Sequence, residues 1–292
     1  MDYERLQNRS AFCHGKTPCV SIGMPVYNGE KFICEALDSL LLQTFTDFEL
    51  IISDNASTDN TDMVCLKYAG QDTRIRYIRQ PMNLGMALNF KFVLDEAVAE
   101  YFMWAACDDL RSNDFLEVNL AFLRDNPVYL ASTSPVKFLG NNFDEHQMGD
   151  ESLESESRYD RIIHFFQCWH ANGRFYSLFR RSAVADWLHI NASYLGSDWS
   201  LITHIANKGK LKRVSEGWVE LGIEGISNTT DIFSLYRLKF IDWILPFNKL
   251  SLDTWSYMYN ASLFQKFRLI YRLLRLNYQA FRAQFRVARE RK

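Results

Sequence analysis

The chain lacks the glycine-rich loops that usually hold phosphates. None of its 13 glycines falls in a G-x-G-x-x-G or G-x-x-x-x-G-K-[ST] pattern, which excludes a dinucleotide-binding turn and a P-loop. Its six cysteines (Cys13, Cys19, Cys34, Cys65, Cys107, Cys168) form no C-x-x-C pair and have no histidine partners at zinc-finger spacing, so a structural zinc site is not expected. Thiols scattered in this way through a long chain read as reduced, in a cytoplasmic setting. No apolar run approaches the roughly 20 residues that span a bilayer. The first ten residues, MDYERLQNRS, are polar and mixed in charge, unlike a secretion signal. The expectation is a soluble protein, or one peripheral on the cytoplasmic face of a membrane. Basic charge is short as well: a formal net charge of −2 argues against nucleic-acid binding. That balance hides an asymmetry. Residues 264–292 hold nine Lys/Arg against the single acid Glu290, a segment of +8 on a remainder of −10.

What is present is an ordinary folding chain, 48% hydrophobic and 23% charged, long enough at 292 residues to bury a sizeable core. Its most informative stretch is 101–109, YFMWAACDD. Six largely apolar residues suit a strand buried on both faces of a parallel sheet, and they run into two adjacent carboxylates, Asp108 and Asp109. Open α/β sheets bind ligands beyond the carboxyl ends of their strands. Two acids at such an edge can hold a hard divalent cation, which can in turn hold a diphosphate. The plain alternative is a solvated Asp-Asp turn.

The rest of the first half repeats strand and helix. Residues 1–18 form an arm. Strands are expected at 20–24, 48–52, 74–78 and 101–106, with helices beginning near Phe32, Ser57 and Met86. The first helix carries Phe32, Ile33, Ala36, Leu37, Leu40 and Leu41 on one face. Such alternation implies a doubly wound, mostly parallel sheet with right-handed crossovers, an α/β fold. Further on, helices are expected at 115–123, 161–170, 182–189 and 198–206, and strands at 128–133, 174–179 and 211–214. Residues 140–160, polar and acidic, suggest a mobile loop. From about residue 231 to 292 the chain turns helical and aromatic, as a C-terminal extension of a domain over 19–230.

Four short segments carry a recognisable pattern: 20–28 (VSIGMPVYN), 51–59 (IISDNASTD), 83–85 (NLG) and 107–109 (CDD). Together, in this order and on these strand ends, they resemble the family 2 inverting glycosyltransferases, whose nucleotide-sugar-binding fold is called GT-A. The resemblance covers residues 19 to about 228. It implies transfer of a sugar from a nucleotide-diphosphate donor, UDP-linked in the usual case, to a hydroxyl of a glycan, polysaccharide or lipid-linked saccharide, as in cell-envelope polysaccharide biosynthesis. It also implies a divalent Mg²⁺ or Mn²⁺ on the diphosphate. Position by position, Pro25, Tyr27 and Glu30 match the turn around the base, and Asp54 the acid that hydrogen-bonds it. Asn83 and Gly85 match the turn near base and ribose. Asp108 and Asp109 match the acidic motif that reaches ribose and metal, and Asp198 stands where the family keeps its general base. The chain departs from the pattern twice. Ala106 replaces the first acid of a D-x-D-D motif, and 218–225 (WVELGIEG) contains no basic or histidine residue.

Each assignment has a structural alternative. Asp198 can be a helix N-cap, Asp54 an Asx-turn residue, and Tyr27 a surface aromatic. His164, His170 and His204 suit packing or surface roles better than ligation. Arg180 and Arg181 can touch a diphosphate or simply sit in solvent. Two other functions compete: a catalytically weak or inactive nucleotide-sugar-binding protein on the same fold, and a nucleotidyltransferase, which would need a glycine/lysine-rich loop in place of 25–29 (PVYNG). In the tail, Phe267, Ile270, Leu274, Tyr278, Phe281 and Phe285 follow helical spacing with arginines alongside. That pattern suits either docking on an anionic membrane or packing of the stripe on the domain.

Overall fold

Period-two alternation along the central strands decides which helices cover which face of the sheet. The computed structural model describes residues 17–187, 194–222 and 232–290. In β1 (Val20–Val26) the side chains of Val20, Ile22 and Met24 enter one core, which also takes Ile33, Ala36, Leu37 and Leu40 of α1 (Ile33–Leu41). Leu50 and Ile52 of β2 (Phe48–Asp54) join that core, as does Cys65 of α2 (Thr61–Gln71). The opposite face of β1 carries Ser21, Gly23 and Pro25. A Cβ on Gly23 would come within 2.7 Å of Val93 Cγ2 and 3.0 Å of Phe102 Cζ. The missing side chain therefore admits α3 (Met86–Glu96), which follows β3 (Ile75–Arg79). On the α3 side Ile51, Val93, Phe102 and Trp104 form the second core. Helices thus lie on both faces, as doubly wound folds require.

The chain continues through β4 (Tyr101–Trp104), β5 (Leu110–Arg111), α4 (Phe115–Asp125), β6 (Tyr129–Thr133), β7 (Val136–Phe138), α5 (Glu145–Met148) and α6 (Arg158–Phe165). A 3-10 turn over Gly173–Tyr176 leads into β8 (Leu178–Arg180), α7 (Arg181–Ala185), α8 (Ser197–Lys208), β9 (Lys210–Arg213) and β10 (Val219–Leu221). The large sheet has the order β3-β2-β1-β4-β8-β6-β9, and β5-β10-β7 form a small second one. The first four strands are parallel, β8 runs antiparallel to both β4 and β6, and β9 is parallel to β6. The small sheet was not expected from the sequence. Its strands are two or three residues long, too short for an alternating pattern to register.

Two other expectations need correcting. Residues 140–160 are not a free loop. Asp144 caps α5 by accepting the amides of His146 and Gln147 at 3.0 and 3.3 Å, and Met148, Asp150 and Leu153 are buried. Asp150 accepts from Val136 N–H at 2.7 Å and Arg213 Nε at 3.0 Å, so acidic composition here serves internal contacts. The expected strand at 174–179 is a 3-10 turn followed by a strand of three residues. Residues 188 and 189 of the helix expected at 182–189 lie outside the described residues, as does most of the N-terminal arm.

The C-terminal part comprises α9 (Ile232–Tyr236), α10 (Phe240–Ile244), α11 (Asn248–Ser256) and α12 (Leu263–Glu290). Leu269, Leu273, Leu276 and Ala280 of α12 belong to the same core as Phe102 and Trp104 of the sheet. Asn277 Oδ1 accepts the Phe247 amide at 2.9 Å, and Gln284 donates to the Trp243 carbonyl at 2.6 Å. The tail helix packs, but not by the stripe singled out above. Phe267, Ile270, Leu274, Tyr278 and Phe285 are exposed. No described helix is long and apolar enough to cross a membrane.

One ion pair inside the α3 face tests this layering. Glu49 on β2 is wholly buried, accepting from Ser21 Oγ at 2.5 Å and from Arg76 at 3.1 Å. Removing the cation leaves a buried charge without its counter-ion. Arg76→Met is therefore expected to cost about 2–4 kcal/mol in urea unfolding, the upper end held down by the partial exposure of Arg76. Adding Glu49→Gln to that variant should recover part of the loss.

Candidate active site

Parallel pairing places three strand exits at one edge of the sheet. Val26 lies opposite Asp54, and Gly23 opposite Trp104. Beyond β1 the backbone turns through Asn28 at φ 55°, a left-handed conformation that asparagine tolerates better than most residues. Asn28 donates its amide to Ser57 Oγ at 2.9 Å, and its own Oδ1 accepts the Thr58 amide at 2.8 Å. Glu30 accepts from Asn60 at 2.7 and 3.1 Å. These bonds tie the first turn to the second. Pro25 is buried in β1, while Tyr27 is exposed beside it.

Asp54 ends β2 with its carboxylate wholly buried and both oxygens engaged. Ser57 N–H donates to Oδ1 at 2.8 Å, and Tyr77 Oη and Arg79 donate to Oδ2 at 2.8 and 3.1 Å. It therefore anchors the turn that follows it. The adjacent Asn55, also buried, holds the next turn: it donates to Asn83 Oδ1 at 3.0 Å and accepts the Leu84 amide at 2.7 Å. Asn83 and Gly85 are exposed there, with Gly85 at φ 82°.

The acidic pair follows β4. Asp108 is half-buried and Asp109 buried. Asp109 Oδ1 accepts the Gly222 amide at 3.1 Å, while Oδ2 is buried with no hydrogen-bond partner among the described residues. Burial pushes this carboxyl up to about 7, against the pull of the neighbouring Arg111 guanidinium. Arg111 is buried too and donates to the Trp104 carbonyl at 3.0 Å. It is a cation at the site that the sequence pattern did not single out. Gly222, just past β10, has the other role that pattern missed. A Cβ there would fall 2.2 Å from Asp108 Oδ2, so only glycine lets the β10 exit lie against the carboxylate.

Asp198 enters from α8. It sits in the first turn rather than at the N-cap, which is Gly196 at φ 84°. Its Oδ2 accepts from Asn172 Nδ2 at 2.9 Å, and burial raises its pKa above the ordinary carboxylate value. Asn172 is itself buried, in the left-handed conformation at φ 57°. It donates its amide to His170 Nδ1 at 3.0 Å. His170 Nε2 must then carry the ring proton, which it donates to the Phe165 carbonyl at 3.1 Å. The ring stacks on Trp199 at 4.2 Å. Gly149 leaves the space this ring fills, since a Cβ there would lie 2.2 Å from His170 Nδ1. Tyr176 lies on the 3-10 turn that begins after Asn172, and that turn packs against both β4 and α8. Burial and the charges of Asp109, Asp108 and Asp198 all keep its phenol protonated.

The remaining candidates have structural duties. His164 meets Glu151 at 2.9 Å, and His204 meets Asp186 at 3.2 Å. Arg180 donates to the Leu123 and Tyr129 carbonyls and Arg181 to that of Ala99. Arg180 stands opposite Tyr101, the first residue of β4, at the end of the sheet away from the acids. Glu220, one of the acids in the stretch without basic residues, is paired with Lys137 at 2.6 Å. Among the described residues, no group of three His, Cys, Asp or Glu side chains is placed to hold a metal. Two features nonetheless fit a cation that takes most of its ligands from substrate and water. One is Asp109 Oδ2, unpartnered among the described residues, and the other is the half-buried Asp108 carboxylate next to it in the chain.

The profile of glycosyl transferase family 2 matches residues 21–188, more than half of the chain. The chain belongs to that family. It is 34% identical over 109 residues to an uncharacterized glycosyltransferase of Haemophilus influenzae, covering 37% of this chain and 44% of that protein. With glycosyltransferase GlyA of Streptococcus pneumoniae it shares 24% over 240 residues, 71% of this chain and 34% of the other. The alignments thus span less than half the length of these relatives. Among solved structures, S. aureus TarS 1-349 in complex with UDP-GlcNAc superposes with a TM-score of 0.63 at 18% identity, over 86% of this chain and 69% of that one. Mannosyltransferase PcManGT from Pyrobaculum calidifontis, in complex with GDP-Man and Mn²⁺, gives 0.60 at 15%, over 92% and 74%. At these identities the likeness is one of fold, and that fold is GT-A.

The Asp198 support has a pH signature. Burial lowers the His170 pKa from 6.5 to about 3, so the unfolded chain binds this proton more readily than the folded one. The stabilisation is complete above about 6.5 and is lost as the pH falls toward 3. His170→Phe cannot take up that proton. Its stability is expected to fall less steeply between pH 6.5 and 4 than that of the unaltered protein, by up to about 1.4 kcal/mol per pH unit, measured by denaturant unfolding across that range.

Proposed function

We propose that this chain transfers a sugar, with inversion, from a nucleoside-diphosphate donor to a hydroxyl acceptor on a glycan, polysaccharide or lipid-linked saccharide. One observation carries the reading. The acidic pair Asp108–Asp109 stands at the exit of β4 and Asp198 in the first turn of α8, and the 3-10 turn over Gly173–Tyr176 packs against both of these elements. Displacement of a diphosphate needs stabilised charge on the leaving group and a deprotonated nucleophile, and two separate acidic centres can divide these tasks.

In this reading the base and ribose lie against Pro25, Tyr27, Glu30, Asn83 and Gly85, with Asp54 holding the turn below them. Asp108 and Asp109 face the diphosphate and would hold a Mg²⁺ or Mn²⁺ there, which would supply positive charge to the leaving group. Asp198 accepts the proton of the acceptor hydroxyl. The hydroxyl oxygen forms the new bond to the anomeric carbon as the bond to the diphosphate oxygen breaks, and the electron pair leaves with the nucleotide. The raised pKa of Asp198 makes it a stronger base than a solvated carboxylate, and Asn172 keeps its oxygen aimed. The donors seen with TarS and PcManGT, a UDP-sugar and a GDP-sugar with Mn²⁺, set the first compounds to try. A UDP-sugar is the favoured donor.

Calorimetry against nucleoside diphosphates with and without Mn²⁺ tests the acidic pair. Asp108→Asn and Asp109→Asn are each expected to weaken metal-dependent nucleotide binding at least tenfold, about 1.4 kcal/mol. Unchanged affinity in both would remove the assignment.

Asp198→Asn can still accept from Asn172 and preserves the shape of the helix start. Nucleotide affinity should stay within about twofold while donor turnover drops about 10²-fold or more. Turnover that survives this change places the base elsewhere. Nucleotide binding with no turnover in the unaltered protein, with or without Mn²⁺, leaves a binding protein in place of an enzyme.

A further inference from the structure

Helix α12 has two apolar strips, and only one is used in folding. At roughly 100° per residue, Leu269, Leu273, Leu276 and Ala280 fall on the strip that enters the core. Phe267, Leu274, Tyr278 and Phe285 fall on another, turned away from it. Phe267 is 69% exposed, Leu274 59% and Tyr278 60%. Helix α10 packs on α12 through the buried Gln284, which donates to the Trp243 carbonyl, and its own Phe240 is 79% exposed. Trp243 and Ile244 are exposed beside it. A row of large aromatic and aliphatic side chains along a helix of 28 residues is far more than scattered surface apolarity.

Charge chooses the occupant. Residues 232–285 contain eight Lys/Arg and two acids, Asp242 and Asp253. Asp242 is buried, accepting the Leu238 and Lys239 amides at 2.9 and 2.7 Å, and Asp253 accepts from Tyr194 Oη. With both carboxylates counted, eight cations less two anions leave this segment at +6. Arg268, Arg275 and Arg282 follow one another at seven-residue spacing along the edge of the exposed strip, and all three are exposed, Arg268 also pairing with Asp160 of α6 at 3.1 Å. A second copy of the chain packed antiparallel across a two-fold axis would bring these rows of like charge together. An anionic bilayer surface meets both features at once, taking aromatic and aliphatic side chains into the headgroup boundary and arginines onto lipid phosphates.

We infer that the exposed strip of α12, with α10 beside it, is a docking surface for an anionic lipid bilayer, on which the protein lies without crossing. Packing on the domain and docking on the membrane are then not alternatives. The buried strip fixes the helix to the sheet domain, and the exposed strip presents that domain to the lipid. The inference is independent of the transferase reading, because no donor, metal or acceptor takes part in it.

The test is co-sedimentation of the full chain with vesicles of phosphatidylcholine alone and of phosphatidylcholine mixed with phosphatidylglycerol, at low and high salt. Binding to the mixed vesicles should be at least about tenfold tighter at low salt and should weaken as salt rises. The pair Phe267→Ser and Leu274→Ser should reduce that binding about tenfold or more. The pair Arg275→Glu and Arg282→Glu should remove the preference for anionic lipid. Phe240→Ser should weaken binding by itself, reporting on α10. All five side chains are exposed, so thermal midpoints should stay close to that of the unaltered protein, and a variant that holds its midpoint yet loses vesicle binding supports the surface. Equal binding to both vesicle types, or none to either, overturns it. So does self-association in sedimentation equilibrium that the apolar pair abolishes while vesicles leave the protein in solution.

Discussion

Because β1 pairs in parallel with both β2 and β4, the chain leaves all three strands in the same direction, with Val26 level with Asp54. The turn at Asn28, the carboxylate of Asp54 and the acidic pair at 108–109 reach one edge for that reason alone. That register depends on a close approach on the other side of β1, where Gly23 lets Val93 of α3 lie against the strand. A larger residue there would push α3 outward. The turn at 83–85 that opens α3, which Asn55 holds against the end of β2, would move with it. Packing at the middle of the sheet and geometry at its edge are thus a single problem.

The carboxylates at that edge work against folding. Asp109 is buried with an oxygen that finds no donor among the described residues, and its partial counter-charge, Arg111, is buried as well. Asp198 is half-buried, with Asn172 as its side-chain donor. An unpaired buried carboxylate destabilises the folded state, and stability alone would favour apolar replacements at such positions. The protein instead surrounds each with rigid support: Gly222 and β10 against the pair, and His170, Asn172 and Trp199 around the third acid. Groups held this way are already desolvated, and interactions made in such surroundings are stronger than in water.

The helices after β10 extend the same logic to the outside of the molecule. Leu269, Leu273 and Leu276 share a core with Phe102 and Trp104 of the sheet, so α12 has a fixed orientation relative to the strand edge that carries the acids. A helix bound on one strip and bare on another can transmit that orientation to whatever it rests on.

Much of the plan was legible in the chain because it is written in local periodicities. Alternation of Val20, Ile22 and Met24 with Ser21 and Gly23 marked β1, the apolar spacing from Ile33 to Leu40 marked α1, and an apolar run ending in two aspartates marked the exit of β4. The short strands β5, β7 and β10 left no such trace, since two or three residues cannot display a period. Nor did Gly222, whose meaning lies in its distance from Asp108, or Asn172, whose partner Asp198 is 26 positions away. The tail is the sharpest contrast. Its sequence determined an amphipathic basic helix. The helix carries two apolar strips, and composition does not rank them. Which one is buried was decided by the shape of the core surface it meets, where Leu269, Leu273, Leu276 and Ala280 fit against the sheet domain and the larger aromatic row stays outside.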